Sequence, residues 1–398
     1  MAHQNNIGIR RCYFFILQCY NHHMVKKLTD NKDVILCFLG SKLLFIVILL
    51  ITHVSYPAVL GLFDAFHYRN IAQLGYYHEM MTVFFPVIPL IIRFTGDAGL
   101  VVINQFAYLI SLFLLKRILS QTRICSNPLL VLIVVSLSPM CLFTSIEYTE
   151  SLFFMFTLLV FYLFIKDEYA WLMGIVLGLS VLTRNTGSLL FFAVFAGMVI
   201  RAVKDKDHIK KRLADIIMCF APATALSLIY PVFLQLRFGS WRLFMDAQYD
   251  YWIRIKSNVL KTTWISFKVI FTDSYTYDGL DTRIMFTINE VLSLLFLALV
   301  ITLAVKEVMI MRRRGVINIP SVVALIYSVL FIVAICMTIR DPNVDCPTDS
   351  FYRYYVGLFP VYLGLGRFKE GALKVSIIVS VLLTLITAPL FCLGSFFF

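Results

Sequence analysis

The chain has 398 residues, 60% of them hydrophobic and only 15% charged, with a mean hydropathy of +0.85. Soluble domains carry about 25% charged residues, so a water-soluble globule is excluded. The formal net charge of +12 would suit a nucleic-acid partner, and its distribution along the chain decides that question.

Apolar runs of about 20 residues, enough to cross a ~30 Å hydrocarbon core, recur along the sequence. Residues 1–33 are expected to form a cytosolic tail. Its apolar patch, Cys12 to Leu17, is shorter than a signal-peptide core and leads into His22, His23, Lys26 and Lys27 instead of small residues suited to cleavage. Residues 34–398 are expected to form a single all-α polytopic membrane domain. Eleven spans are predicted, at about 34–53, 99–115, 128–146, 151–165, 169–183, 187–200, 214–234, 287–305, 320–339, 354–366 and 375–395. Residues 169–200, read as one helix, would be about 45 Å long. Such a helix would place Arg184 near the bilayer centre at a cost of about 2.5–3.5 kcal/mol. A hairpin with Arg184-Asn185-Thr186-Gly187 at its tip is cheaper.

With the first span entering from the cytosol, the cytosolic segments hold 22 basic and nine acidic residues, against 12 and 13 in the far-side loops. This is a positive-inside pattern, and it accounts for the net charge without nucleic acid. Of the nine cysteines only Cys346 is clearly far-side, so no disulfide framework follows. The far-side loops, at about 54–98, 235–286 and 340–353, hold most of the non-membrane sequence, and function is sought there.

In the first loop, Asp64, His67 and Tyr68 share one helical face at i, i+3 and i+4. Asp64 is either a helix cap or a general base. Pro86 and Pro89 are expected to bar a regular helix through Phe84–Leu90, making a kink or the wall of a lipid-accessible groove. Glu147-Tyr148-Thr149-Glu150 carries two carboxylates with no basic neighbour in sequence, so they are solvated or they pair with a distant cation such as Arg184 or Arg93. Arg184 either snorkels to the interface or holds a phosphate in its planar fork of donors. In the loop at 235–286, Trp241, Arg242, Asp246, Gln248, Tyr249, Trp252 and Arg254, then Asp273, Tyr275, Tyr277, Asp278 and Asp281, suit either sugar stacking or an interfacial aromatic belt. Arg353 opens the tenth span on the far side, against the charge rule, which points to a lipid phosphate or a protein carboxylate as its partner.

In this order, Phe63-Asp64 with Ile71-Ala72 and Gly75-Tyr76, Phe84-Phe85-Pro86 with Pro89-Leu90, Tyr148-Thr149-Glu150-Ser151, Thr183-Arg184-Asn185, and Arg353-Tyr354 with Phe359-Pro360 resemble a known pattern. It is that of the GT-C class of lipid-linked-sugar glycosyltransferases, and within it the GPI mannosyltransferase 2 (PIG-V type) family. That family usually has Trp-Asp at Phe63-Asp64 and Arg-Ser-Asn-Gly at Arg184-Asn185-Thr186-Gly187, and the loop with Gln248 and Trp252 aligns loosely. The resemblance implies a GT-C-like fold and an endoplasmic-reticulum enzyme, its site lumenal. It would transfer mannose from dolichyl-phosphate-mannose, with inversion, to the first mannose of the GPI precursor glycolipid through an α-1,6 link. No cofactor or metal is expected, because the leaving group is a single lipid phosphate. Asp64 is then the general base. Arg184 and Arg353, followed by Arg69, are the cations for the phosphate, and His67, Tyr148, Glu150, Gln248 and Trp252 are further substrate-binding candidates. An accessory membrane subunit is left open. The competing readings are a lipid transporter or scramblase, a non-catalytic subunit, and a GT-C mannosyltransferase with another lipid-linked acceptor.

Overall fold

The computed structural model describes residues 31–122, 124–271 and 280–394. The expected tail, but for its last three residues, lies outside them, as do Asp273, Tyr275, Tyr277, Asp278 and the side chain of Asp281. The described chain is helical apart from one two-stranded ribbon. It runs α1 (Lys32–Thr52), α2 (Tyr56–Leu60), α3 (Asp64–Leu74), a 3-10 turn (Glu79–Val83), α4 (Val87–Gln121), α5 (Pro128–Leu137), α6 (Met140–Phe143), α7 (Glu150–Lys166), α8 (Ala170–Thr183), α9 (Gly187–Lys204) and α10 (Ile209–Phe238). Then come α11 (Leu243–Asp250), β1 (Arg254–Lys256), α12 (Val259–Phe271), α13 (Leu280–Arg314), α14 (Ile319–Cys336), β2 (Thr338–Arg340), α15 (Phe351–Val356), α16 (Phe359–Leu365) and α17 (Glu370–Cys392).

Among the described residues, seven helices are long and apolar enough to cross a membrane: α1, α4, α9, α10, α13, α14 and α17. The chain is thus an all-α polytopic membrane protein. The other four expected spans are shorter or interrupted. Those at 151–165 and 169–183 are helices of 17 and 14 residues. The span expected at 128–146 breaks at Ser138-Pro139 into α5 and α6, because proline cannot donate to the helix ladder. The one expected at 354–366 is two short helices, α15 and α16, parted at Gly357-Leu358 ahead of Pro360. Two other expectations also change. The prolines near residue 86 do not prevent a helix, since Pro86 precedes α4 and Pro89 falls in its first turn, where the missing N–H costs nothing. Gly96, at φ 72° and ψ 175°, is the actual interruption in α4. The loop expected at 235–286 contains α11, β1 and α12.

Irregular backbone at membrane depth survives only where protein satisfies it. Around the α5–α6 break, Lys42 Nζ on α1 donates to Thr144 O (3.3 Å) and Ser145 Oγ (2.9 Å), and Gln105 donates to Thr144 O (3.0 Å). Asn104 donates to the carbonyls of Ile146 (2.8 Å) and Tyr148 (3.0 Å). Tyr56 and Thr384 donate to those of Ser145 (2.5 Å) and Leu137 (2.7 Å).

The hairpin at Arg184 is present: α8 ends at Thr183 and α9 begins at Gly187. Helix α8 also meets α10 at Gly174 and Gly178, four residues apart on one face. A Cβ on Gly174 would lie 2.0 Å from the Cys219 carbonyl oxygen, and one on Gly178 would lie 2.6 Å from Leu226 Cβ. Small residues at this spacing let helix backbones approach in lipid.

The ion pairs sort by side. Lys116–Asp33, Arg201–Asp167, Arg212–Asp167 and Arg367–Glu307 join residues assigned to the basic side. Arg69–Glu147, Arg184–Glu150, Arg353–Asp64 and Arg340–Asp349 join residues assigned to the other. Each of these pairs stays on one side, as alternating spans require.

Gly174→Val should force α8 and α10 apart. Overpacking of this kind costs about 1–3 kcal/mol, so the midpoint of thermal unfolding in detergent should drop by several degrees. An unchanged midpoint would mean that the two helices are not in contact there.

Candidate active site

Helix α3 starts at Asp64, but Asp64 does not cap it. The cap position is Phe63, at φ 52° and ψ −115°, and no side chain caps the helix. The helical spacing brings Asp64, His67 and Tyr68 onto the wall of a cavity of about 660 Å³. Arg184, Gln248, Trp252 and Arg353 line the same cavity, together with Phe84, Arg254, Arg340, Asp349 and Tyr354. A second cavity, of about 50 Å³ beside Glu307 and Arg367, holds none of the candidate site residues.

At the wall of the cavity four charges close on one another, three of them lining it. Arg184 Nη1 donates to Glu150 Oε1 at 2.5 Å and to Thr149 Oγ1 at 2.9 Å. Arg353 Nη2 lies 2.8 Å from Asp64 Oδ2, and its Nε lies 3.1 Å from the same Glu150 Oε1. One carboxylate oxygen therefore bridges two guanidinium groups. The side chain of Glu150 is 2% exposed and that of Arg353 6%, whereas Asp64 at 19% is the member that reaches the cavity most openly. Arg353 packs over the ring of Tyr148 (5.2 Å) and Arg184 over that of Tyr354 (4.8 Å), the cation–π geometry that suits guanidinium. Arg353 Nη1 is buried and has no hydrogen-bond partner among the described residues.

Each element delivers its charge through an irregularity. The break after α5 ends at Thr149, so that Glu150 heads α7, where the positive end of the helix dipole favours it. The hairpin turn carries Arg184, and Ser350, at φ 69°, precedes α15 with Arg353. Phe63 before Asp64 and Ile253 before Arg254 (φ 54°) are also left-handed. Non-glycine residues in such conformations cost of order 1–3 kcal/mol each. Three of them flank cavity charges.

His67 stacks on Phe84 (centroids 4.8 Å apart, planes 19°) with Trp252 edge-on at 5.3 Å. Burial holds its pKa below the ordinary value, against the pull of Asp64, and its buried Nδ1 lacks a hydrogen-bond partner among the described residues. Trp252 Nε1 donates to Met80 O at 3.0 Å, fixing that wall.

Three sequence candidates fall elsewhere. Arg69 does not line the cavity and holds Glu147 through two 2.6 Å bonds, with Asp97 at 3.2 Å. Glu150 and Tyr148 are buried beneath the cavity and do not line it; Tyr148 donates to Leu62 O at 3.3 Å. The carboxylates of the Glu147–Glu150 turn are paired rather than solvated, Glu150 with Arg184 as one alternative held. Arg93 instead bonds Ala72 O at 3.4 Å. Sequence reasoning missed Arg340 and Asp349 as site residues. Arg340 holds Asp349 at 3.1 Å and also Asp345, and burial pushes Asp349 up to about 6 despite Arg340. The signal available was a basic residue closing an apolar span, followed at once by Asp341, Asp345 and Asp349.

Removing one partner of a buried charge pair costs about 3–5 kcal/mol, because it strands the other. Glu150→Ala should therefore abolish the monodisperse peak in detergent size-exclusion chromatography. Glu150→Met with Arg184→Met, which removes one charge of each sign, should recover part of it. A single variant as well behaved as the parent would refute the bridging role.

No family model matches the sequence. No curated protein matches it. Among solved structures, the chain is similar to the archaeal oligosaccharyltransferase AglB from Archaeoglobus fulgidus, in complex with an inhibitory peptide and a dolichol-phosphate. The identity is 12%, covering 93% of this chain and 56% of that one, with a TM-score of 0.46. It is also similar to the oligosaccharyltransferase of Archaeoglobus fulgidus tethered with an acceptor peptide, at 12% identity, 94% and 56% coverage and a TM-score of 0.45. The chain spans little more than half the length of these proteins.

Proposed function

We propose that the chain is a membrane glycosyltransferase of GT-C type that takes a sugar from a polyprenyl phosphate donor. In the specific form that its motifs resemble, it moves mannose from dolichyl-phosphate-mannose to the GPI precursor by an inverting α-1,6 transfer, in the lumen of the endoplasmic reticulum. The observation that carries this reading is the pair of buried arginines, Arg184 and Arg353, joined on Glu150 at the wall of a large cavity that Asp64 also lines.

An acceptor hydroxyl becomes nucleophilic when a base removes its proton, a step typically worth ~10² to 10⁴-fold. Asp64 takes that proton. The acceptor oxygen forms its bond to the anomeric carbon from the face opposite the phosphate. The bond from that carbon to the phosphate oxygen breaks, its electron pair leaving with the lipid phosphate. The developing charge falls to Arg353, whose Nη1 has a donor to give, and to Arg184 beside it. The two guanidinium groups cost no reorganisation at that moment, because Glu150 already fixes them. Trp252 and His67 offer ring faces to the sugar, and Gln248 offers an amide.

Asp64→Asn should lower transfer of mannose from dolichyl-phosphate-mannose in microsomes by at least about 10²-fold while leaving membrane insertion intact. Near-normal activity in that variant would overturn the role of Asp64. Expression in cells lacking the second mannosyltransferase should restore surface GPI-anchored proteins. Failure of the unaltered chain to do so, with transfer to another lipid-linked acceptor intact, would reassign the acceptor.

A further inference from the structure

We propose that Arg254 and Arg340 form a second anion subsite in the cavity, which binds the phosphate of a phospholipid-based acceptor while Arg184 and Arg353 take the phosphate of the donor. The division between donor and acceptor rests on the function proposed above. The subsite itself rests on the ribbon.

Strands β1 and β2 pair antiparallel with Arg254 directly opposite Arg340. Like charges in that position repel, and on an open two-stranded ribbon nothing in the backbone requires them. Both side chains line the cavity. Arg340 is offset by Asp345 and Asp349. Among the described residues Arg254 makes no ion pair of its own, and the carboxylate that acts on it from farther off, Asp349, is already held by Arg340. The Nη1 of Arg254 reaches only the Thr338 carbonyl, at 3.4 Å, and among the described residues no carboxylate lies within ion-pair distance. The left-handed Ile253 immediately before it adds backbone cost to the same spot.

At ion-pair distance the two cation pairs hold different carboxylates, Glu150 and Asp64 for one and Asp345 and Asp349 for the other, while Asp349 also acts on Arg254 and Arg353 from farther off. The one cavity thus offers two pairs of cations, each with its own nearest carboxylates. A polyprenyl phosphate donor brings a single phosphate, which leaves the second pair for a second anion. Arginine's fork recognises phosphate oxygens in this way. Tyr249, from α11 in the same cavity lining, gives the ring that a sugar next to that phosphate would meet.

The test uses the full chain in phosphatidylcholine nanodiscs with three probes: a short-chain polyprenyl phosphate, tail-less glycerophosphoinositol and inorganic phosphate. Glycerophosphoinositol should bind protein already saturated with polyprenyl phosphate, and bind more tightly than inorganic phosphate. Arg254→Gln should weaken it roughly tenfold or more, the size of one charge-assisted hydrogen bond, and shift polyprenyl phosphate by no more than about twofold. Arg254→Lys, which keeps the charge, should fall between. Displacement by polyprenyl phosphate, indifference to Arg254→Gln, or equal affinity for inorganic phosphate would each overturn the proposal. If polyprenyl phosphate does not bind while glycerophosphoinositol still depends on Arg254, the donor reading fails and the subsite stands.

Discussion

The bridging of two guanidinium groups by Glu150 is the constraint around which the far side of this protein is built. Two cations and two carboxylates out of water are tolerable only if each is paired, since a stranded buried charge costs several kcal/mol. The four charges come from α3, α7, the α8–α9 turn and α15, so the cluster fixes four distant stretches of chain at once. Regular spans would carry these residues past one another. The interruption before α7, the hairpin at Arg184 and the short α15 are what allow them to meet.

Much of this was legible in the sequence, and the parts that were not have identifiable reasons. Hydropathy locates helices, and it found the seven long ones; it is blind to a break inside uniformly apolar sequence, as at residues 128–146 and 354–366. Pro139 and Pro360 were visible markers of both breaks, but membrane helices often tolerate proline, so they did not force the conclusion. Helical spacing correctly grouped Asp64, His67 and Tyr68. Arg69, expected as a third cation for the phosphate, lies about 140° around the helix from Asp64 at 100° per residue, and the structure turns it onto Glu147. Glu150 was chosen for the right turn but given the wrong place, because sequence shows a carboxylate without showing what lies above it.

Three of the six left-handed non-glycine residues among the described residues lie beside the cavity; the others are His53, Asp167 and Tyr169. Phe63, Ile253 and Ser350 adopt left-handed backbone that glycine would take more cheaply. Each lies one to three residues before a cavity charge: Asp64, Arg254 and Arg353. Phe63 is held there by edge contact with Phe391 at 5.2 Å. Rigid placement of charged groups before substrate arrives is what electrostatic catalysis requires. A pathway that opens and closes needs mobile groups near the midplane instead, and the paired charges here gather at the helix ends.

Lys42 is the test of that distinction, because it is a basic residue well inside a long apolar helix. Its ammonium group meets Thr144 and Ser145, in the irregular stretch that follows α6, and the ring of Tyr108 at 4.9 Å. Its charge is spent on carbonyl and hydroxyl oxygens that the broken span exposes, and the segment it holds continues within five residues to Glu150. Lys42 therefore serves the same end as the charges at the cavity: it stabilises the chain interruption without which Glu150 could not reach both arginines.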